Sequence, residues 1–208
     1  MMPLFSYTKA RQLLLHLALD GLTAPDATHA STDFFTADEI ASLCEATKDL
    51  SFRAATAVVG NDVHQDMEVC FPAPRIGAFD DCASLLERAV LSWPEATKYL
   101  SASFCLNDFA VQKYGARSKG IGIQKDGLRY KYLVFIITLS GTSRLFHTKD
   151  RSGNLRHDIA DAPGKLVVIK APDFKGFDAK NRLLHGVDNI TDGRLSIGFR
   201  YEPISKGT

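Results

Sequence analysis

Apolar positions change their period about halfway along the chain. In the first hundred residues they recur every three or four positions. Ala10, Leu13, Leu14 and Leu17 fall at i, i+3, i+4 and i+7, which predicts a helix over 9–18 with these four on one apolar face. Thr36-Ala37-Asp38-Glu39 has the form of a capping box: the hydroxyl caps the third amide and the glutamate reaches back. Ile40, Leu43 and Cys44 continue a buried stripe behind it. A third helix is predicted from Asp80, with Cys82, Leu85, Leu86, Ala89 and Val90 on one side, and Pro94 ends it or opens a further short helix. Between the second and third helices, 54–59 and 67–71 read as strands joined by the polar turn Gly60-Asn61-Asp62.

From about Asp108 the period becomes two, and turn residues interrupt it regularly. Eight strands are predicted, at 109–114, 120–126, 132–140, 143–148, 155–159, 165–170, 183–190 and 194–201. The run 133–139 is almost continuously apolar, as in a strand covered on both faces. Eight short antiparallel strands after a helical lead-in predict an α+β, mainly β fold: a double-stranded β-helix, or jelly roll, with an N-terminal helical layer packed outside it. No internal repeat breaks the chain, so a single domain over 1–208 is expected, with a helical lead-in at 1–107 and the roll at 108–203.

Composition removes several classes of function. The 208 residues and 22.8 kDa suffice for one well-filled core, and a formal net charge of +1 offers no electrostatic case for nucleic acid or an anionic membrane surface. No apolar run approaches the ~20 residues of a membrane span. The apolar centre Leu13-Leu14-Leu15-His16-Leu17 is interrupted by His16 and closed by Asp20, and Thr28-His29-Ala30 would be a poor cleavage site, so an amphipathic helix is read there rather than a secretory signal. Cys44, Cys70, Cys82 and Cys105 have neither CxxC nor disulfide-framework spacing; reduced thiols in a cytoplasmic protein are expected.

The chemistry is concentrated in the second half. Asp126 closes the second strand of the run, His185 lies on the seventh, and Arg194 opens the eighth. A rolled double sheet can bring such distant strand ends to one mouth. Imidazole and carboxylate together suit a divalent metal, and two histidines with one carboxylate on one face is the pattern of non-haem iron(II) sites. Arg194 would sit near that metal, able to pair bidentately with a carboxylate, and Ser196 shares its face of the strand. His64-Gln65-Asp66 is a literal His-x-Asp, but it precedes the eight-strand run and reads as a solvated turn or strand edge.

The stretch 120–126, the strand 133–140 and the segment 185–200 resemble the iron(II)/2-oxoglutarate-dependent dioxygenases, whose pattern is His-x-Asp, a distal His, then Arg-x-Ser. The resemblance covers roughly the C-terminal half. It implies Asp126 and His185 as iron ligands, with Gln124 where the first histidine belongs. It implies Arg194 and Ser196 as holders of the distal carboxylate of 2-oxoglutarate, with Gln112 and Tyr114 as further co-substrate contacts. Glutamine is a neutral, weak ligand, and three readings of it stand open. It binds iron weakly through its amide oxygen; or the metal has been lost and the pocket kept; or it is a variant residue in an otherwise active enzyme.

Other features have plainer readings. The basic run Lys113, Arg117, Lys119, Lys125, Arg129 and Lys131 reads as a solvated rim, and Tyr130 and Tyr132 as packing; Arg129, Tyr130 and Arg200 are nonetheless candidate substrate contacts. His147 and His157 alternate with charged residues and are expected to be exposed; the segment 172–182 is a candidate lid. The resemblance thus implies an oxygenase using Fe(II) and 2-oxoglutarate on a small or medium polar substrate. The alternatives are a catalytically silent jelly-roll binding protein and a nucleic-acid-modifying enzyme, the latter disfavoured by charge.

Overall fold

The alternating half of the chain forms two facing sheets, and the helical half covers the outside of one of them. The computed structural model describes residues 4–59 and 63–203, so the predicted turn at 60–62 lies outside the described residues. In chain order the elements are α1 (Lys9–Leu22), β1 (His29–Asp33), α2 (Ala37–Ala46), β2 (Arg53–Ala54), β3 (Val58–Val59), β4 (Val63–Asp66), β5 (Glu68–Cys70), α3 (Ala78–Leu91) and α4 (Ala96–Tyr99). The roll follows: β6 (Asp108–Tyr114), β7 (Gly120–Gln124), β8 (Lys131–Gly141), β9 (Arg144–Thr148), β10 (Arg156–Asp158), β11 (Lys165–Lys170), β12 (Leu184–Asp188) and β13 (Arg194–Tyr201).

The larger sheet has the order β1-β11-β8-β13-β6-β5-β2 and the smaller β10-β9-β12-β7-β4-β3. All eight strands predicted for the roll are present, as four of the seven and four of the six. The expectation of a mainly helical first half needs correcting at both sheet edges. His29–Asp33 adds an edge strand beside β11, Val63–Asp66 adds a strand beside β7 with β3 outside it, and the single strand predicted over 54–59 is two short ones.

Strand alternation divides the core in two. Outward residues of the larger sheet, Leu133, Phe135, Ile137, Ile197 and Phe199, pack beneath the helices with Leu15, Leu19, Leu43, Leu85 and Leu86. Inward residues Val134, Val167 and Ile169 meet Ile121, Leu145 and Val187 of the smaller sheet. The strand β8 is therefore apolar on both faces, as its sequence predicted.

The helices hold to prediction except in one orientation. Thr36 Oγ1 accepts from the Glu39 amide at 3.3 Å and Glu39 Oε2 accepts from the Thr36 amide at 2.8 Å, completing the capping box. In α1, however, the apolar face Leu13, Leu14 and Leu17 turns outward, with Leu13 and Leu17 each 59% exposed. The buried face is Arg11, Leu15, Leu19 and Leu22. Arg11 decides this, because its guanidinium forms two 2.8 Å hydrogen bonds to the buried Glu39 carboxylate and fixes the rotation of the helix.

Candidate functional site

The register of β7 against β12 builds the first half of the site. Gln124 is the direct cross-strand partner of His185, and a bulge separates that pair from Ile121 and Val187. Ile121 and Val187 are core residues between the sheets, so His185 faces inward, and it is buried. Asp126 lies two residues beyond the end of β7 rather than within the strand, as predicted. Its Oδ2 stands 3.8 Å from His185 Nε2 and has no hydrogen-bond partner, although it is shielded from solvent.

The tautomer of His185 follows from its other nitrogen. Nδ1 lies 3.3 Å from the Leu183 carbonyl, which can only accept, so Nδ1 carries a proton, and in the neutral ring Nε2 turns a lone pair toward Asp126. A lone pair facing an orphaned carboxylate oxygen is a slot for a cation. The donor set fits a borderline divalent metal, with the Gln124 amide as a weaker third donor. Among the described residues no group of three His, Cys, Asp or Glu side chains is arranged to hold a metal. On the opposite face of β12 there is no space for a side chain at Gly186, where a Cβ would lie 2.8 Å from the Phe146 ring and 2.9 Å from the Ile121 carbonyl oxygen.

Arg200 supplies the cationic side of this mouth. Its Nε lies 3.4 Å from Asp126 Oδ1 and its Nη1 3.8 Å from Asp108 Oδ1, while its guanidinium covers the Tyr130 ring at 5.1 Å. Burial raises the Asp108 pKa; the opposing pull of Arg200 and Arg129 is smaller. Arg182 donates to the Asp126 carbonyl and Lys125 donates 2.6 Å to the Lys180 carbonyl, tying the end of β7 to the segment before β12. That segment was a candidate lid; Phe174 within it is fully buried against Trp93 and Tyr99.

The second half of the site lies where β13 begins. Arg194 pairs with Tyr114 on β6 and with Gly141 on β8, and Ser196 with Gln112. Arg194, Ser196 and Tyr114 are all buried, and Arg194 Nε, Ser196 Oγ and the Tyr114 hydroxyl lack hydrogen-bond partners. Burial pushes the Tyr114 phenol up to about 12, against a smaller opposing effect of Arg194. Three unpaired donors at neighbouring positions fit an acceptor such as a carboxylate.

The guanidinium's charge, however, is already matched. Arg194 Nη1 lies 2.5 Å from Asp161 Oδ2 and donates 2.7 Å to Ser143 Oγ, and the Arg194 and Asp161 side chains are each 1% exposed. Sequence reasoning gave Asp161 no role. The Ala160-Asp161-Ala162-Pro163-Gly164 stretch reads only as a turn, and nothing local announces its partner across the roll.

The histidines are also closer to the centre than expected. Cross-strand pairing sets His157, His147, His185 and Gln124 in one row from β10 to β7. His157 is exposed as predicted, but His147 is half-buried. Its ring stacks 5.2 Å from His157 and lies tilted 4.7 Å from His29 of β1. Burial, then the neighbouring His147 and His185, lowers His29 to about 4. His64 is exposed; its neighbour Gln65 opposes the inward Ile121, so His64 points away from the mouth. Half of the basic rim is in ion pairs: Lys113 with Glu68, Lys131 with Asp173, Arg129 with Asp108 and Glu202.

Two four-stranded sheets in the orders β11-β8-β13-β6 and β10-β9-β12-β7, closed over a polar mouth, make a double-stranded β-helix. The fold matches those of solved oxygenase structures. A prolyl-4-hydroxylase from Pseudomonas putida matches with a TM-score of 0.64 at 16% identity, over 91% of this chain and 100% of that one. A Trichoplax adhaerens prolyl hydroxylase, solved with a peptide fragment of hypoxia inducible factor, matches at 0.63 and 12%, over 93% and 91%. A Burkholderia pseudomallei oxidoreductase of the 2OG-Fe(II) oxygenase family matches at 0.60 and 14%, over 95% and 93%. No protein-family model and no curated protein matches the chain by sequence.

Proposed function

We propose that this chain is an iron(II)/2-oxoglutarate-dependent oxygenase with an altered metal site. The observation that carries the reading is the orphaned Asp126 carboxylate oxygen facing the His185 lone pair at 3.8 Å inside a jelly-roll mouth. Asp126 and His185 would hold the metal, with Gln124 as the third and weakest ligand. Arg194, Ser196, Tyr114 and Gln112 would take the co-substrate. Iron(II) and 2-oxoglutarate, when bound, supply the oxidising power for breaking a substrate C–H bond. The chain's own part is to orient and to exclude water. Leu183 keeps His185 in the ligating tautomer, and Arg200 holds Asp126 from the side away from His185.

A cleft of about 480 Å³ opens over Asp126, lined by Arg53, Gln65, Gln112, Arg129, Tyr130 and Arg200 among others. The small-molecule substrate expected from sequence gains no support, since the Trichoplax enzyme was solved with a peptide fragment. We assign a polar or acidic peptide segment as the substrate class, on the volume of this cleft and its lining by Arg53, Lys125, Arg129 and Arg200. Arg129 and Tyr130 lie on its rim and Arg200 at its floor. The near-neutral chain still argues against nucleic acid, and among the described residues no helix is long and apolar enough to cross a membrane.

Anaerobic titration with iron(II) and 2-oxoglutarate tests the proposal. A metal-to-ligand absorption band lost in Asp126→Ala and His185→Ala is the expected outcome. Metal binding that both variants leave unchanged would remove the assignment. The absence of a three-member ligand group among the described residues favours a second reading, a silent binding protein. That reading is supported instead if no band forms at millimolar 2-oxoglutarate.

A further inference from the structure

Asp161 occupies Nη1 of the buried Arg194 guanidinium, and the surrounding fold holds it there. Both its oxygens are engaged: Oδ2 lies 2.5 Å from Arg194 Nη1, and Oδ1 accepts from Thr138 Oγ1 at 2.6 Å. Its loop is pinned on both sides by backbone contacts. Ile159 donates to the Leu145 carbonyl at 2.9 Å, Ser31 Oγ donates to the Ala160 carbonyl at 2.5 Å, and the Gly164 carbonyl accepts from Phe34 and Phe35 at 2.9 Å each.

Resting on the functional reading above, we propose that Asp161 is the residue that sets oxo-acid selectivity. It competes with a second carboxylate for Arg194, and so weakens 2-oxoglutarate relative to oxo acids that lack one. The chemistry is a matter of charge and hydrogen-bond capacity. A guanidinium whose charge is matched by a buried carboxylate gains little from a second one, and two carboxylates at the same guanidinium repel strongly where water is excluded. The remaining donors, Arg194 Nε, Tyr114 and Ser196, still welcome an acceptor oxygen, but they carry no unmatched positive charge to reward an anion. The chelating end of an oxo acid, bound at the metal, is indifferent to Asp161.

The test is calorimetric titration of the manganese(II)-loaded protein with 2-oxoglutarate and with 2-oxobutanoate, whose chelating end is the same and which has no distal carboxylate. Asp161→Asn keeps the volume of the side chain and an oxygen for Thr138 while removing the charge. It should tighten 2-oxoglutarate at least tenfold and leave 2-oxobutanoate within twofold. Asp161→Ser, which also removes the charge, should tighten 2-oxoglutarate in the same direction and covers the case in which Asp161→Asn does not fold. Unchanged or weaker 2-oxoglutarate binding in both variants, with 2-oxobutanoate still bound, overturns the role of Asp161 and leaves the metal site standing. If neither acid binds any of the proteins, the oxo-acid reading of the pocket fails, and this inference with it.

Discussion

Acidification should weaken the fold through His29, and the amount follows from its surroundings. Its imidazole is held at about 4, against 6.5 for the free side chain, first by burial and then by the charges that His147 and His185 would add. Because the folded value is the lower one, the unfolded chain takes up the proton first. Stability is therefore undiminished above pH 6.5 and lost as the pH falls from 6.5 toward 4. A shift of this size costs about 3 kcal/mol once complete, and about 2 kcal/mol of it falls between pH 7 and pH 5. For a chain of this length that is a fall in melting temperature of about 4–8 °C. Many carboxylates titrate in the same range, so the informative quantity is the difference between wild type and His29→Gln. Urea unfolding of both proteins at pH 7, 6 and 5, in chelator, gives that difference directly. The stability gap should shift by about 2 kcal/mol in favour of the variant as the pH falls. A gap constant to within about 0.5 kcal/mol would show that His29 is not held in its neutral form, and would remove the electrostatic account of the histidine row.

Gln124→His should tighten manganese(II) binding at least tenfold, measured by calorimetry, because an imidazole would replace a neutral amide opposite His185. Gly186→Ala should cost about 1–3 kcal/mol in urea unfolding and weaken metal binding too, since the new Cβ would press on the Ile121 carbonyl and displace the strand that carries His185. Arg11→Met should destabilise by about 3 kcal/mol by leaving Glu39 buried without its ion-pair partner. Arg11→Met combined with Glu39→Gln should recover part of that loss, and a purely additive double variant would contradict the argument.

The roll was legible in sequence because each of its strands carries its own record. Val134, Phe135, Ile137 and Leu139 declare a strand buried on both faces, and Pro163-Gly164 or Asp192-Gly193 say where chains must turn. Asp126 and His185 were legible as neighbours through their places on predicted strands, and the fold brings them within 3.8 Å. The strands that the first half adds to the sheets were not legible, because His29–Asp33 and Val63–Asp66 are short and polar, and their pairing partners lie far along the chain. The outward face of α1 was misjudged for a related reason. Helix α1 has two leucine faces, and the buried one, Leu15, Leu19 and Leu22, also carries Arg11, whose buried partner is 28 residues away.

Local order, then, belonged to the sequence by itself: two periodicities, a capping box, the eight strands of the roll, and which side chains could share a mouth. These are properties of neighbours a few residues apart, where sterics and burial act on each segment separately. Tertiary structure alone decided the electrical state of the site. Only the closed roll leaves Asp126 with an oxygen unpaired before His185, brings His29 and His147 into the same row, and sets Asp161 on Arg194. Charges act through space, across contacts 33 residues or more apart, and desolvation exists only once both sheets have met.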